Sequence, residues 1–375
     1  MALVASSAET RRPHIVIDGR ELVGRPTGVG RYLMGLLTEW AERRAEARIS
    51  VIVPGDVPAE LSALAPPFTI VKVRAGSTGT IFEQTVLPGA AQRLGADVFF
   101  APAYTGPLML RCPLVLAVYD ASYFAHPEWF GWREGLRRRW VTRRAAHRAK
   151  SVITISAFSA AELRRYLGVP ADRMVLAPPG APAEIARAAS PSPRPRTVLY
   201  AGSIFARRGV PALIAAFADV ARQVPDARLV LVGDNRTTPP IDPMQLATEA
   251  GIADRVEWHR YAPDHELRAL YLQARVFAFL SEYEGFAMTP MEAIAHGVPV
   301  VLRDTAIARE VYGDGAALVG TDRSALAATL TTLLTDDQAH AALLSRGRAR
   351  LPLFSWAQSA DVVMRALLHA AAGAS

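Results

Sequence analysis

The stretch VFAFLSEYEGFAMTPMEAIAHGVPVVL (276–302) contains two short apolar runs, separated by a polar loop and a segment with helix-boundary signals. The runs VFAFL (276–280) and VPVVL (298–302) are apolar throughout, as expected for strands buried on both faces of a sheet. TPME (289–292) has the form of a helix start, and Gly297 marks the end of that helix. Strand, helix and strand in this order predict a parallel sheet covered by helices on both faces.

The same alternation runs through the rest of the chain in two sets. GRYLMGLLTEWAERRA (30–45) carries apolar residues three and four positions apart, which predicts an amphipathic helix. The remaining strand-like runs are HIVID (14–18), ISVIVP (49–54), FTIVKV (68–73), DVFFAP (97–102), PLVLAVYD (113–120), SVITIS (151–156), TVLYAG (197–202), RLVLVG (228–233) and VEWHRY (256–261). We therefore predict an α/β protein with two doubly wound, Rossmann-like domains. Such pairs generally leave a ligand cleft at the carboxyl ends of their strands.

The chain length and one break in the pattern predict where the domains divide. A chain of 375 residues is too long for one ordinary core and indicates two domains. The sequence SPSPRP, within residues 178–197, cannot continue a helix or a central strand and indicates an exposed linker. We place the first domain at 1–190 and the second at 191–353. Residues 354–375 are interpreted as a C-terminal amphipathic helix that packs back toward the first domain.

The composition favours an ordinary globular protein of a reducing compartment. Apolar residues make up 51% of the chain and charged residues 21%. The single cysteine, Cys112, excludes an intramolecular disulfide and is typical of the cytoplasm. No apolar run approaches the roughly 18–20 residues needed to span a bilayer, and the opening sequence lacks the pattern of a signal peptide. We therefore expect a cytoplasmic protein.

The net charge of +7 is concentrated in the first half of the chain. Residues 1–190 contain 24 Lys and Arg against 16 Asp and Glu, whereas residues 191–375 contain 18 against 19. Much of the excess lies in REGLRRRWVTRRAAHRAK (133–150), where Trp140 and Val141 stand among arginines. Two interpretations are open: a solvated arginine-rich helix face, or contact with an anionic membrane surface or acidic acceptor. Basic charge alone does not indicate a nucleic-acid partner.

A glycine-containing loop follows the first predicted strand. That strand ends at Asp18, and GRPTGVGRY (24–32) places Gly28 and Gly30 just before a helix. Their backbone could approach a ligand at the positive helix end, or they could simply form a tight strand–helix turn. The spacing does not match the dinucleotide-binding fingerprint.

A second candidate loop opens the second domain. YAGSIFARRGVPALIAAF (200–217) runs from a strand through a small-residue turn to Arg207 and Arg208, and then into a helix. Guanidinium groups at the carboxyl end of a strand suit a diphosphate through charge-assisted, often bidentate bonds. The alternative is a pair of exposed loop arginines.

Local structure explains the presence of a glutamate at position 292 but not at position 284. Thr289 is expected as the N-cap of a capping box, with Glu292 bonding back to the cap N–H, so Glu292 has a structural role. Glu284 lies in the loop after a buried strand, beside amides that attract anions at a helix start. A carboxylate there is accounted for by bonds to sugar or ribose hydroxyls.

Taken together, these segments resemble a known enzyme family. EGFAMTPMEAIAHGVPVV resembles the E-x7-E region of retaining glycosyltransferases of family 4, which have the GT-B fold. The likeness covers nearly the whole chain in order: PTGVGRY, DVFFAP, VYD followed by HPEWF, VITISAFSAAEL, GSIFARRG, LVLVG, the E-x7-E block and the terminal FSW helix. HPEWF and ITISAFSAAEL look most like bacterial mannosyl- and rhamnosyltransferases of surface-polysaccharide assembly.

The resemblance implies two Rossmann-like domains facing a central cleft, with the acceptor on the side of the first domain and the nucleotide-sugar bound by the second. It implies that Glu284 bonds hydroxyls of the donor sugar and that Glu292 bonds the ribose. The amides of Gly285, Phe286 and Ala287 would meet the diphosphate or the sugar.

Arg207 and Arg208 match an arginine and a lysine of the family and would neutralise the departing diphosphate, and Ser203 in the preceding turn belongs to the same donor site. Gly28 and Gly30 would close the donor site from the first domain, and Tyr261 would line the pocket of the base. No metal ion and no cofactor are expected, because the arginines supply the charge neutralisation.

One departure from the family lies at the end of PLVLAVYD. Members commonly have His-Asp there, with the histidine against the donor sugar, whereas this chain has Tyr119-Asp120. A phenol can bond a sugar hydroxyl or an oxyanion, but it stays neutral near pH 7. Tyr119 and Asp120 are taken as catalytic candidates. His126 is interpreted as a loop residue, and Arg260 replaces a usual glycine, which could alter the choice of base.

The leading hypothesis is a retaining hexosyltransferase. It would use a nucleotide-sugar such as GDP-mannose, a UDP-sugar or a dTDP-sugar, and act on a glycan or lipid-linked acceptor, with peripheral contact at the inner face of the plasma membrane. Two alternatives stay open: an inactive nucleotide-sugar-binding partner subunit, and an epimerase or phosphorylase on the same fold. Donor, acceptor, linkage and oligomeric state are not determined by the sequence.

Overall fold

The protein is described here by a computed structural model that covers residues 11–24, 27–43, 46–73, 79–182 and 194–373. The predicted linker sequence SPSPRP falls largely outside these described residues.

The chain forms two compact units. The first comprises the chain up to Thr154, Ala160–Ala177, and the chain from Trp356 onward; the second comprises Ile155–Ser159 and Pro178–Ser355. From the sequence alone, we place the domain boundary after residue 190. In the structure, the compact units divide after Ala177.

The first unit is built on a seven-stranded parallel sheet with the order β3-β2-β1-β4-β5-β6-β7. Its strands are β1 (His14–Asp18), β2 (Arg48–Val53), β3 (Thr69–Lys72), β4 (Val98–Ala101), β5 (Leu114–Ala117), β6 (Ser151–Thr154) and β7 (Met174–Leu176). Its helices are α1 (Gly28–Glu42), α2 (Ala59–Ala63), α3 (Gly79–Ile81), α4 (Leu87–Leu94), α5 (Ser122–Ala125), α6 (Trp132–Arg148) and most of α7 (Ala157–Leu167); a π-helical segment, Phe82–Val86, joins α3 to α4.

The second unit is built on a six-stranded parallel sheet with the order β10-β9-β8-β11-β12-β13. Its strands are β8 (Thr197–Ala201), β9 (Arg228–Val232), β10 (Val256–His259), β11 (Val276–Phe279), β12 (Val300–Arg303) and β13 (Ala317–Val319). Its helices are α8 (Val210–Gln223), α9 (Pro243–Glu249), α10 (Asp264–Gln273), α11 (Met288–Ala295), α12 (Ala306–Val311), α13 (Arg323–Thr335) and α14 (Asp337–Arg350).

The predicted α/β class and the two doubly wound parallel sheets are confirmed. β1, β4, β5, β6 and β11 are buried along their whole length. This explains why β4, β5 and β11 are apolar throughout and why β1 and β6 have polar residues only at their ends. β7 and β13 were missed, because each is only three residues long, partly exposed and at a sheet edge, which is too short for a readable pattern.

The C-terminal helix α15 (Trp356–Ala372) belongs to the first unit and packs on α1. The indole N–H of Trp40 donates to the Ala360 carbonyl oxygen at 3.0 Å, and Arg43 pairs with Asp361 at 2.9 Å. Among the described residues, no helix combines the length and the apolar composition that crossing a bilayer requires.

Candidate active site

Two glycines shape the carboxyl edge of the second sheet. Gly202 and Gly233 follow β8 and β9, and both have φ of +145°, a backbone region that glycine alone adopts readily. A Cβ on Gly233 would lie 2.0 Å from the carbonyl oxygen of Gly202, and a Cβ on Gly202 would lie 2.9 Å from a guanidinium nitrogen of Arg208. Because neither position tolerates a side chain, Arg208 can lie directly against the sheet edge.

Arg207 and Arg208 lie on the short 3-10 turn after β8. The Arg208 guanidinium is centred 5.1 Å from the Phe279 ring, and its Nη1 donates to the carbonyl oxygen of Ser203 at 3.0 Å. The Arg207 guanidinium stacks over Phe205 at 4.4 Å. Both arginines therefore lie where the sequence places them, at the carboxyl end of the first strand of this sheet, and Arg208 and Ser203 are in direct contact.

Glu284 forms a buried ion pair with Arg208. Arg208 Nε donates to Glu284 Oε1 at 2.9 Å, and the side chains are only 17% and 14% exposed. Ser281 Oγ donates to the same oxygen at 2.9 Å, whereas no described residue donates to Oε2. Glu284 thus has protein partners, so a sugar or ribose hydroxyl is not needed to account for a carboxylate at this position.

The electrostatics of this pair keep both groups charged. Burial alone would raise the pKa of Glu284, but Arg208, with help from Arg207 and Ser281, holds it below its ordinary value. Burial alone would lower the pKa of Arg208, and the Glu284 carboxylate raises it instead. The result is a fixed carboxylate and a fixed guanidinium at the carboxyl edge of the sheet.

The loop from Gly285 to Ala287 turns sharply into α11. Ala287 has φ of +67°, and the buried Tyr312 hydroxyl donates to its carbonyl oxygen. Among the described residues, no acceptor is found for the backbone N–H groups of Gly285, Phe286 and Ala287. These amides are therefore available to an anion, as the sequence predicts for a helix start.

The predicted capping box is wrong. The N-cap is Ala287 and α11 begins at Met288, so Thr289 lies in the first turn instead of capping it. The left-handed turn at Ala287 starts the helix earlier than the sequence signal indicates. The hydroxyl of Tyr271 donates to Glu292 Oε2 at 3.2 Å. The proposed contact between Glu292 and a ribose stays a prediction.

A small cavity of about 20 Å³ borders this loop, lined among others by Glu284, Phe286, Ala287, Arg303 and Tyr312. This volume is close to that of one ordered water and far below that of a hexose. A hexose is therefore too large to enter this cavity.

Tyr261 and Arg260 follow β10 at the same carboxyl edge. Tyr261 is exposed, and the Arg260 guanidinium lies 4.6 Å from the Trp258 ring. Trp258 is anchored in turn by its indole N–H, which donates to the Gly233 carbonyl oxygen at 3.0 Å. The exposed ring of Tyr261 fits the role predicted for it in lining the pocket of the base, which stays a prediction.

In the first unit, Gly30 has a packing role. Thr27 is the N-cap of α1, and its hydroxyl oxygen accepts from the Gly30 N–H at 3.0 Å. A Cβ on Gly30 would lie 2.4 Å from the carbonyl oxygen of Glu21, so this position requires glycine for a close backbone approach. Gly28 is the exposed first residue of α1, and its predicted contact with the donor stays a prediction.

Tyr119 is buried inside an aromatic cluster of the first unit. Its ring packs edge-on against Tyr32 and Tyr104 at centroid distances of 5.2 and 5.4 Å, and its hydroxyl donates to the Pro102 carbonyl oxygen at 2.5 Å. Burial raises the pKa of Tyr119 well above its ordinary value. This geometry does not support the predicted contact between the Tyr119 hydroxyl and a donor sugar.

Asp120 is held by Tyr104, a residue that the sequence analysis missed. The Tyr104 hydroxyl donates to Asp120 Oδ2 at 2.6 Å, and the Ser122 N–H donates to Oδ1 at 2.8 Å. Tyr104 has φ of +63°, and the Thr105 N–H bonds the Ala103 carbonyl oxygen across it, which makes a three-residue γ-turn. No sequence rule places a tyrosine in this rare conformation, so the pairing could not be read from the sequence.

Within each unit the structure brings some predicted residues together and leaves others apart. In the second unit, Arg207, Arg208, Ser203 and Glu284–Ala287 share the carboxyl edge. Three residues that were not predicted support this region: Ser281 bonds Glu284, Tyr312 bonds Ala287, and Tyr271 bonds Glu292. Ser281 could have been found, because it is the first polar residue after a buried strand. Among the described residues, no group of three or more His, Cys, Asp or Glu side chains could hold a metal ion.

Two family models match the chain. The model described as "Glycosyltransferase Family 4" matches residues 26–184, and the one described as "Glycosyl transferases group 1" matches residues 183–350. Together the two matches run without a gap from residue 26 to residue 350.

Curated relatives and solved structures agree with these matches. The chain is 31% identical to the "MMP alpha-(1->4)-mannosyltransferase" of Mycolicibacterium hassiacum, over 64% of this chain and 61% of the relative. It is 27% identical to "O-antigen chain mannosyltransferase B" of Escherichia coli, over 64% of this chain and 66% of the relative. The alignments thus span less than two thirds of either relative.

Among solved structures, Anabaena HepE in complex with UDP and glucose has a TM-score of 0.73, with 21% identity and coverage of 96% of this chain and 100% of that one. This likeness supports the fold. The two family models together show that the chain belongs to the family 4 glycosyltransferases, and this likeness supports their GT-B fold for it.

Proposed function

We propose that the protein is a retaining hexosyltransferase, which moves a mannose-like sugar from a nucleoside diphosphate to a hydroxyl of a glycan or lipid-linked acceptor. The observation that carries this proposal is the fixed Arg208–Glu284 pair, with Arg207 beside it and the amides of 285–287 next to it. The names of both relatives, which are mannosyltransferases, support mannose and hence GDP-mannose as donor. UDP- and dTDP-sugars are the next candidates.

Each part of this site has a role in the proposed reaction. As the sugar leaves, negative charge develops on the diphosphate, and the guanidinium groups of Arg207 and Arg208 stabilise it without any reorganisation. Glu284 Oε2 accepts a hydrogen bond from a hydroxyl of the sugar, because Oε1 already accepts hydrogen bonds from Arg208 and Ser281. Charge neutralisation by arginines makes a metal ion or cofactor unnecessary in this scheme.

Transfer proceeds on one face of the sugar. The acceptor oxygen forms a bond to the anomeric carbon on the side from which the diphosphate departs, and the bonding electrons of the broken bond stay on the diphosphate. A diphosphate oxygen takes the proton of the acceptor hydroxyl. The configuration at the anomeric carbon is therefore retained, and no covalent intermediate with the protein is required.

We also propose that α6 contacts an anionic membrane surface. Trp132, Leu136 and Trp140 are exposed and spaced four residues apart, so they form one apolar stripe on this helix. The guanidinium groups of Arg133 and Arg144 lie 5.0 and 5.4 Å from the two indole rings. Exposed tryptophans among arginines are typical of helices that lie in a lipid interface.

The donor is tested with the purified chain in a thermal-shift screen of GDP-mannose, UDP-glucose and dTDP-rhamnose. A donor at 100 times its Kd stabilises the native state by about 2.7 kcal/mol, which raises the transition measurably. Release of the nucleoside diphosphate in the presence of an acceptor then establishes transfer. If no nucleotide-sugar shifts the transition, the donor site is refuted.

The arginines are tested by Arg207→Ala, which leaves the Arg208–Glu284 pair in place. We expect about a 100- to 1000-fold lower kcat, the cost typical of losing one preorganised group that stabilises transition-state charge. Arg228→Ala is the matched control, because that exposed arginine begins β9 at the amino end of the sheet. Equal activity of the two variants would contradict the assignment.

A further inference from the structure

A cavity of about 440 Å³ opens in the first unit and is not used by the donor contacts proposed above. Its lining residues follow the carboxyl ends of β1, β2 and β4 or come from α3, its π-helical continuation and α6; among them are Arg20, Glu83, Thr105, Arg137 and Arg138. Ligands of doubly wound sheets bind at this edge. The cavity is large enough for a monosaccharide-sized ligand.

One end of the cavity is built from a buried ion cluster. The Arg20 guanidinium donates to both oxygens of Asp18, at 2.7 to 3.0 Å, and to Glu83 Oε2 at 2.5 Å. The Thr105 hydroxyl donates to the same Glu83 oxygen at 2.6 Å. Because two nearly fully buried carboxylates face one guanidinium, this end has an excess of negative charge and favours hydrogen-bond donors such as hydroxyl groups.

The other wall is formed by α6, whose arginines differ in their partners. Arg139, Arg143 and Arg148 donate to backbone carbonyl oxygens, and Arg138 donates to Glu134 at 3.0 Å. Arg137 forms no hydrogen bond or ion pair with any described residue, yet it lines the cavity together with Arg138. Arg137 is exposed and Arg138 is half-buried, and both border this open cavity, whose lining also includes carboxylates.

From this polarity, we propose that the cavity holds the acceptor of the proposed transfer, and that the acceptor is a hydroxyl-bearing phosphate ester. Its phosphate pairs with Arg137 and Arg138, whose planar forks match phosphate oxygens. Its hydroxyl groups lie toward the carboxylate-rich end. The phosphate can belong to a soluble phosphosugar or phosphopolyol, or to a lipid headgroup. Only the identification of the bound molecule as the acceptor rests on the proposed function. Binding of a phosphate ester in the cavity does not depend on it.

The test measures binding of matched ligands to the purified full chain by calorimetry. The soluble pair is glycerol 3-phosphate and glycerol, and the lipid pair is short-chain phosphatidic acid and short-chain phosphatidylcholine in monomeric form, which offer α6 no bilayer surface to contact. We expect wild type to prefer the phosphate member of at least one pair. Arg137→Ala/Arg138→Ala should weaken that binding about 10- to 100-fold, since charged hydrogen bonds are lost. The pair that responds identifies the source of the phosphate.

Arg164→Ala/Arg165→Ala is the matched control, because it removes two adjacent exposed arginines from α7 of the same unit. This control should bind phosphate like wild type, and Arg137→Lys/Arg138→Lys should restore part of the binding. The inference is overturned if neither phosphate ligand binds wild type, or if the control loses binding equally. The nucleotide-sugar thermal shift is measured on the same proteins. Donor binding without phosphate binding would refute this inference alone, whereas phosphate binding through Arg137 and Arg138 without donor binding would refute the proposed donor.

Discussion

Glu284 has an observed structural role, the ion pair with Arg208, and a proposed chemical one. The sequence singles it out, because a carboxylate in a loop beside a helix start is electrostatically unusual. It could not reveal the partner, since Arg208 is 76 residues away and the Gly202–Gly233 contact that admits its guanidinium depends on the folded sheet. Arg208 and Ser281 both donate to Oε1, whereas no described residue donates to Oε2, a distinction that only the structure supplies.

The depressed pKa of Glu284 predicts a pH dependence of stability. Since its folded pKa lies below the ordinary value of 4.5, the folded state binds fewer protons than the unfolded state in this range. The stabilisation is therefore complete above pH 4.5 and is lost as the pH falls through the folded pKa. Glu284→Gln should reduce this acid-side slope of the unfolding free energy, measured by urea unfolding at a series of pH values. It should also cost about 3 kcal/mol at pH 7, because Arg208 loses its partner.

Glu249→Gln, at an exposed position on α9, is the control for the Glu284 experiment. It should leave both the stability at pH 7 and the acid-side slope close to wild type. Identical slopes for wild type and Glu284→Gln would contradict the ion-pair account.

Tyr119→Phe tests whether the Tyr119 hydroxyl acts in catalysis, as the family resemblance implies, or only stabilises the fold through its bond to Pro102. The hydroxyl donates to Pro102 inside a buried aromatic cluster, so its loss leaves a carbonyl oxygen without that donor. We expect a loss of about 1–3 kcal/mol in unfolding free energy and a change in kcat of less than about threefold. Chemical unfolding and a transfer assay on the same preparation check both values. A large fall in kcat with unchanged stability would restore Tyr119 to the active site.

At the scale of elements, the sequence was most informative where burial is complete. Long helices and fully buried strands can be recognised from the spacing of their apolar residues. Accordingly, β1, β4, β5 and β11 lie where the apolar runs predict strands. The start of α11 did not follow its local signal, because the turn at Ala287 is set by Tyr312 from a distant segment. Local chemistry therefore identified the helix, and tertiary contact determined its first residue.

Two glycine substitutions should have opposite effects, because Gly35 lies where α15 packs on α1 and Gly89 does not. A Cβ on Gly35 would lie 2.7 Å from the Trp356 ring, whereas one on Gly89 in α4 would meet only a mobile Arg93 nitrogen at 3.4 Å. Gly35→Ala should lower the unfolding free energy by about 1–3 kcal/mol through overpacking. Gly89→Ala should raise it by about 0.5–1 kcal/mol, because alanine is the better helix former. Urea unfolding of both variants checks the signs, and a stabilising Gly35→Ala would contradict the contact.

For the whole molecule, fold and family followed from the sequence, whereas the polarity of the first-unit cavity did not. Arg20 and Glu83 are 63 positions apart, and Arg137 comes from yet another segment, so no motif links them. The charge imbalance was visible in the composition, with the excess of arginines in the first 190 residues. Only the fold shows which of these arginines have protein partners, which ones line the cavity, and that α6 also carries an exposed apolar stripe.

This charge distribution and the stripe on α6 predict salt-dependent binding of the whole protein to anionic vesicles. Binding should weaken as ionic strength rises from about 0.01 to 0.15 M, because the Debye length shrinks from about 30 to 8 Å. Leu136→Ala should weaken it further at either salt concentration, since an apolar side chain no longer enters the interface. Leu353→Ala is the matched control, because Leu353 is also 57% exposed but lies in the second unit. Vesicle co-sedimentation measures all three proteins; equal losses in the two leucine variants would show that α6 is not the contact surface.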